Sequence, residues 1–243
     1  MLFRSVSQSR YQFVSLDKAL EILASPPFRK NKPFVCFTFD DGYVDNYLNA
    51  LPVFEKYNCP FTIYVTTDFP ENKAFLWWYI LDDILMNNEN LLLADGSVYS
   101  TANIAEKNNV FHLIHGRLSK IAPSKLEQTF KYWFKNYEFS AKSKVNELSL
   151  NYDQLIVLSN HNLCTIGSHT VSHPNLSLLS KNEQENEMRK SKEVLEQLLR
   201  KEISHFAYPF GAHNTDSIIA AENAGYKTAT IAWGGEVRYK HNN

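Results

Sequence analysis

Apolar runs of strand length alternate with amphipathic helical patterns at both ends of the chain, and a long helical stretch lies between them. Leu16, Ala19, Leu20 and Leu23 recur at helical spacing behind Ser15, a good N-cap, and Pro26 and Pro27 close that helix. Residues 34–39 are continuously apolar, the pattern of a strand buried on both faces, and Asp40-Asp41-Gly42 ends the run. A helix over 45–57 and a strand over 61–66 follow, which makes a parallel βαβ unit. The same rhythm returns later. Helices are predicted at 151–160, 181–199 and 217–224, the last stopped by Gly225, with strands at 163–167, 203–207 and 226–233. In the helix at 181–199, Met188, Val194, Leu195, Leu198 and Leu199 form the inward stripe, and the charges read as its solvated face.

Residues 69–150 break the rhythm. They read as mostly helical, with aromatic clusters at 75–87 and 124–137. The expected architecture is therefore α/β: one barrel-like domain over residues 1–243 with a helical insertion at about 69–150. Hydrophobic residues at 44% and charged residues at 21% exclude disordered and coiled-coil classes. Lys+Arg 25 against Asp+Glu 26 leaves a net charge of -1, so no basic surplus is available for a phosphate backbone. Nucleic acid is not an expected partner. The three cysteines, Cys36, Cys59 and Cys164, make no disulfide framework and no zinc-ribbon pair. No apolar run is long enough for a transmembrane segment, and residues 1–10 lack the apolar stretch of a signal peptide. A reducing, cytoplasmic location is the expectation.

Three of the predicted strands end in unusual polar or turn motifs: Thr38-Phe39-Asp40-Asp41-Gly42, Ser168-His169-Thr170-Val171-Ser172-His173 and Phe206-Ala207-Tyr208-Pro209-Phe210-Gly211. In a parallel α/β barrel the C-terminal strand ends share one face, so motifs far apart in sequence are expected to meet there. The i, i+4 spacing of His169 and His173 places both imidazoles on one side of a helical turn, within reach of one ion. Asp40 or Asp41 can add a carboxylate, which completes a two-His, one-carboxylate set with an open position. A cation also accounts for two adjacent carboxylates at the end of a buried strand, where repulsion and desolvation would otherwise be costly. Each motif alone has a plain reading as a turn or a solvated helix; their joint placement favours the site.

These motifs resemble those of the NodB-homology polysaccharide deacetylases, metal-dependent carbohydrate esterases of family four with a distorted (β/α) barrel. Residues 38–42 match the first motif, TFDDG, without change. Residues 169–173 match the second, H(S/T)xxH, and residues 207–211 match a variant of the third. The likeness covers about 15–66 and 151–235. It implies that Asp41, His169 and His173 hold a divalent metal, usually zinc. It implies that Asp40 is the base for the metal-activated water, and that the Phe210 backbone N–H joins the metal in stabilising the oxyanion. The implied activity is removal of acetyl groups from an N-acetylated saccharide, with a bacterial surface polysaccharide or lipopolysaccharide precursor as the expected setting.

Two departures stand out. Many relatives carry an arginine in the third motif to orient the base; Ala207 stands there, and Arg238 is a candidate substitute. The family's last motif supplies a histidine as general acid after the final strands; His213 and His241 are the candidates here. Two rival readings follow. One is a non-catalytic saccharide-binding relative that lost its general acid, and the other is a cyclic amide hydrolase using the same metal. Trp77, Trp78 and Tyr79 are expected mainly to build the core of the insertion, with sugar stacking as the alternative.

Overall fold

The computed structural model describes residues 10–24 and 32–232. Nine strands and nine α-helices are present among them. In chain order they are β1 (Gln12–Phe13), α1 (Leu16–Ala24), β2 (Phe34–Val35), β3 (Phe37–Phe39), α2 (Leu51–Lys56), β4 (Phe61–Val65), α3 (Trp77–Met86), β5 (Asn90–Leu92), β6 (Val98–Ser100), α4 (Ile104–Leu118), α5 (Pro123–Trp133), α6 (Ala141–Leu148), α7 (Tyr152–Asn160), β7 (Cys164–Ser168), α8 (Lys181–Leu199), β8 (His205–Ala207), α9 (Thr215–Asn223) and β9 (Thr228–Thr230). The main sheet is parallel throughout, in the order β3-β4-β7-β8-β9, as the distorted (β/α) barrel requires. All five residues of β4 are buried, because this strand has neighbours on both edges and helices over it. Phe54, Phe61, Ile63, Val65, Leu155, Leu158 and Leu195 form the centre of its core.

Local chemistry accounts for most boundaries. The Ser15 side chain accepts from the Lys18 N–H at 3.2 Å and starts α1. Asn151 with Gln154, and Ser180 with Glu183, form capping boxes that start α7 and α8. The helix expected at 45–57 begins instead as a wide π turn over Asn46–Ala50 and becomes α2 only at Leu51. Pro52 has no N–H to donate back into that turn, so the hydrogen-bond register shifts there.

The apolar run at 34–39 differs from expectation. It splits at Cys36 into β2, which pairs with β1, and β3, which pairs with β4. The chain changes partner within the run. β3 borders the sheet among the described residues, and Thr38 is exposed rather than buried on a second helix-covered face. The segment 69–150 is helical as expected, but it also holds the antiparallel hairpin β5–β6. Asp95-Gly96 between two apolar stretches was its signal. Trp77, Ile80, Leu81, Val110, Ile114, Phe130 and Phe134 give this segment its own core.

Gly167 in β7 is a test of how tightly the sheet is packed beneath the site. A Cβ there would lie 2.5 Å from Cδ1 of the fully buried Tyr64 and 2.9 Å from the His205 carbonyl oxygen. Neither atom has room to retreat. Gly167→Ala is expected to destabilise the chain by about 1–3 kcal/mol or more, read from a denaturant titration. A midpoint equal to that of the parent would contradict this packing.

Candidate metal centre

The C-terminal ends of β3, β7 and β8 deliver the chemistry. Asp40 and Asp41 follow β3, His169 follows β7, and β8 runs through Tyr208 into the turn Pro209–Gly211. Adjacent residues of an extended strand point apart, yet Asp41 turns inward. Its φ is 75° and that of Gly42 is 88°, so the chain bends through two left-handed residues. Gly42 is needed for a second reason: a Cβ there would meet Val65 Cγ1 at 3.3 Å.

Nε2 of His169 and Nε2 of His173 lie 3.3 Å and 3.1 Å from the same oxygen, Asp41 Oδ1. The three residues offer ligand atoms that all lie within 4.8 Å of one another, and no other such group occurs among the described residues. His169 Nδ1 sits 2.8 Å from the Ala207 carbonyl, to which it can only donate. That bond places the ring proton on Nδ1 and aims the Nε2 lone pair at the centre. Two imidazole lone pairs and one carboxylate around one point fit a divalent cation such as zinc.

The electrostatics agree. Burial works against a charged Asp41, but His173 and His169, through charge and hydrogen bonds, hold its carboxyl well below the usual range. Burial likewise opposes a charged His169, and the bond to Asp41 with the two acidic charges outweighs it, so its pKa is raised. Asp40 is exposed on one side. Burial on its other side is the largest influence and pushes its pKa up, with Asp41 adding and the two imidazoles opposing. Asp40 thus stands beside the cluster without belonging to it.

The second motif reaches this geometry by an unexpected route. His169 to His173 is a loop, not a helical turn, with Thr170 at φ 72° and His173 at φ 58°. The loop is tied by polar contacts that a helix would preclude. Thr170 Oγ1 donates to the His169 carbonyl and accepts from the His173 N–H. Glu187 of α8 accepts from the N–H groups of Val171 and Ser172 at 2.8 and 3.0 Å and from the Ser172 hydroxyl at 2.9 Å. Glu187 belongs to the charges that read as a solvated face; the loop 15 and 16 residues before it was its hidden partner.

Phe210 also takes a left-handed conformation, φ 59°, and its ring packs edge-on against His173 at 4.7 Å. This brings the third motif to the centre. His213 is exposed; its Nδ1 lies 3.0 Å from the Gly211 carbonyl and its ring stacks on Tyr208, so its contacts are not with the three ligands. Arg238 and His241 lie outside the described residues. His161 and His205 pair with Glu55 and with Thr228 and Asp17, away from the cluster. A cavity of about 170 Å³ adjoins the centre. His173, Phe210 and Asn175 form one wall of it, and Phe75, Trp78 and Leu126 of the helical segment form another. Trp77 is core, as expected, but Trp78 packs against His173 at 5.2 Å.

Comparison with known proteins agrees with the motifs. A family model described as polysaccharide deacetylase matches residues 29–91 and 127–229, leaving out the middle of the helical segment. YxkH of Bacillus subtilis (strain 168), a polysaccharide deacetylase by name, is 21% identical over 210 residues. That match covers 86% of this chain and 48% of YxkH, so the chain spans about half the length of this relative. The deacetylase PplD of Streptococcus pyogenes, solved with acetate, superposes with a TM-score of 0.55 at 21% identity, over 90% of this chain and 65% of that one. A de-N-acetylase from Aggregatibacter actinomycetemcomitans superposes with a TM-score of 0.56 at 14% identity, over 95% and 74%. With the family model matching well over half of its residues, and the motifs converging as that family requires, this chain belongs to the polysaccharide deacetylase family.

Proposed function

We propose that the chain is a metal-dependent hydrolase that removes acetyl groups from an N-acetylated saccharide, in the making of a bacterial surface polysaccharide or lipopolysaccharide. The convergence of Asp41, His169 and His173 beside a carboxylate that is not a ligand carries this reading. A divalent ion held there, zinc by the character of its donors, supplies Lewis acidity to an acyl carbonyl and acidifies a water. Asp40 takes the proton from the attacking water, since it flanks the cluster and keeps its oxygens free. His169 is held in the required tautomer by Ala207, and Asp41 supplies the negative charge that keeps a cation in place. The Phe210 backbone N–H, in a left-handed turn whose ring packs against His173, donates to the developing oxyanion. The sugar rests in the open cavity between Phe210 and the helical segment, where aromatic faces and polar groups alternate.

The test is acetate release from a panel of N-acetylated saccharides by metal-stripped chain, before and after addition of zinc. Release that requires zinc is expected for at least one member. Stoichiometric zinc binding with saccharide binding but no release would instead favour the non-catalytic reading, which the position of His213 and the alanine at 207 would then explain.

A further inference from the structure

We infer that the segment between β4 and α7 is a working part of the metal centre, in which Trp78 and Tyr43 position the ligands Asp41 and His173. This rests on the metal-dependent reading above.

Both ends of the segment grip the loop that carries Asp41. At its outgoing end, the Val44 N–H donates to the Leu148 carbonyl at 2.7 Å, and the Leu150 N–H donates to the Gly42 carbonyl at 3.0 Å. Tyr43 and Ser149 pair between them as an isolated antiparallel bridge. At its incoming end, Trp78 Nε1 donates to the Tyr43 hydroxyl at 3.0 Å. Tyr43 is then walled in by Phe69 and Tyr79, with ring centroids 5.6 and 5.4 Å away. Phe69, Ala74, Leu76 and Val145 form the apolar cluster on which Tyr43 and Trp78 rest.

Donor and acceptor chemistry gives this contact a direction. An indole N–H can only donate, so Tyr43 must accept from Trp78. The hydroxyl that accepts this bond belongs to the residue two positions past Asp41, in the loop that carries the ligand. The bond from Trp78 thus ties the helical segment to the loop that carries Asp41. Trp78 also covers the other ligand. His173 is nine-tenths buried, its Nδ1 has no hydrogen-bond partner, and its ring is held between Trp78 at 5.2 Å and Phe210 at 4.7 Å. His169 is oriented by a carbonyl, whereas His173 is oriented by ring packing. Partners of metal ligands commonly set affinity by about 10- to 100-fold.

The experiment is a zinc titration of the metal-stripped chain and of Tyr43→Phe, Trp78→Phe, the double variant and Trp78→Leu. Cobalt absorption spectra report ligand geometry, and thermal melts report folding. Tyr43→Phe is expected to weaken zinc binding about 10-fold. Trp78→Phe should weaken it less, and the double variant no more than Tyr43→Phe alone, since both act through one oxygen. Trp78→Leu should alter the cobalt spectrum by releasing His173. Zinc affinities within twofold of the parent and unchanged spectra in Tyr43→Phe and Trp78→Leu would overturn the inference while leaving the metal site standing. If Trp78→Leu does not fold, Tyr43→Phe decides, because it removes one oxygen. A parent chain that binds no zinc would remove the metal reading and this inference together.

Discussion

Asp40→Asn is expected to keep zinc binding and to release acetate roughly 10²- to 10⁴-fold more slowly than the parent. The amide has the shape of the carboxylate and cannot accept the proton. Nothing in the proposed ligand set changes, because Asp41, His169 and His173 are its three donors and Asp40 stands outside the cluster. The neighbouring charges explain why this carboxylate suits the task. Burial and Asp41 raise its proton affinity above that of an ordinary carboxylate, and the imidazoles hold that rise in check. The measurement is a pair of curves on one substrate, a zinc titration and a rate at saturating zinc. Acetate release by Asp40→Asn at the parent rate would transfer the base role to another group.

His169→Ala is expected to lose zinc binding by more than the roughly 100-fold that removal of a supporting partner gives, because a donor atom itself disappears. It also leaves the Ala207 carbonyl without its imidazole donor and takes one of two imidazoles from the Asp41 carboxylate. Acid should mimic the variant. The pKa of His169 is raised in the metal-free fold, so its proton persists to higher pH than on a free imidazole and competes with the metal there. Zinc affinity should therefore fall as the pH is lowered from about 8 to about 6, and binding should release protons. An affinity unchanged by the variant, or flat across that pH range, would mean that His169 is not a ligand.

The cluster of Asp41, His169 and His173 was legible because its residues are concentrated in short motifs that follow apolar runs. Asp41, His169 and His173 each lie immediately past, or in the loop past, a strand that its own composition announces. The path between them was not legible. A spacing of four suggests a helical turn, whereas the chain uses two left-handed residues and a glutamate from α8. The partner-switching of the run at 34–39 was hidden for a similar reason: alternation tells which residues are apolar, not which strand each half will meet. The hairpin β5–β6 carried a turn signal that the surrounding helical pattern outweighed.

The supporting residues were the least visible. Tyr43, Trp78 and Glu187 look like two core aromatics and one surface charge, and their roles come from neighbours 35, 35 and 16 or 15 residues away. Periodicity, capping residues and strand-end motifs depend on bonds within a few residues, so the sequence by itself determined the α/β order, most helix starts and the candidate donor set. Which side chains hold those donors in register depends on packing between segments that no local pattern encodes. Only the tertiary structure could show that the helical segment closes on Tyr43 and His173.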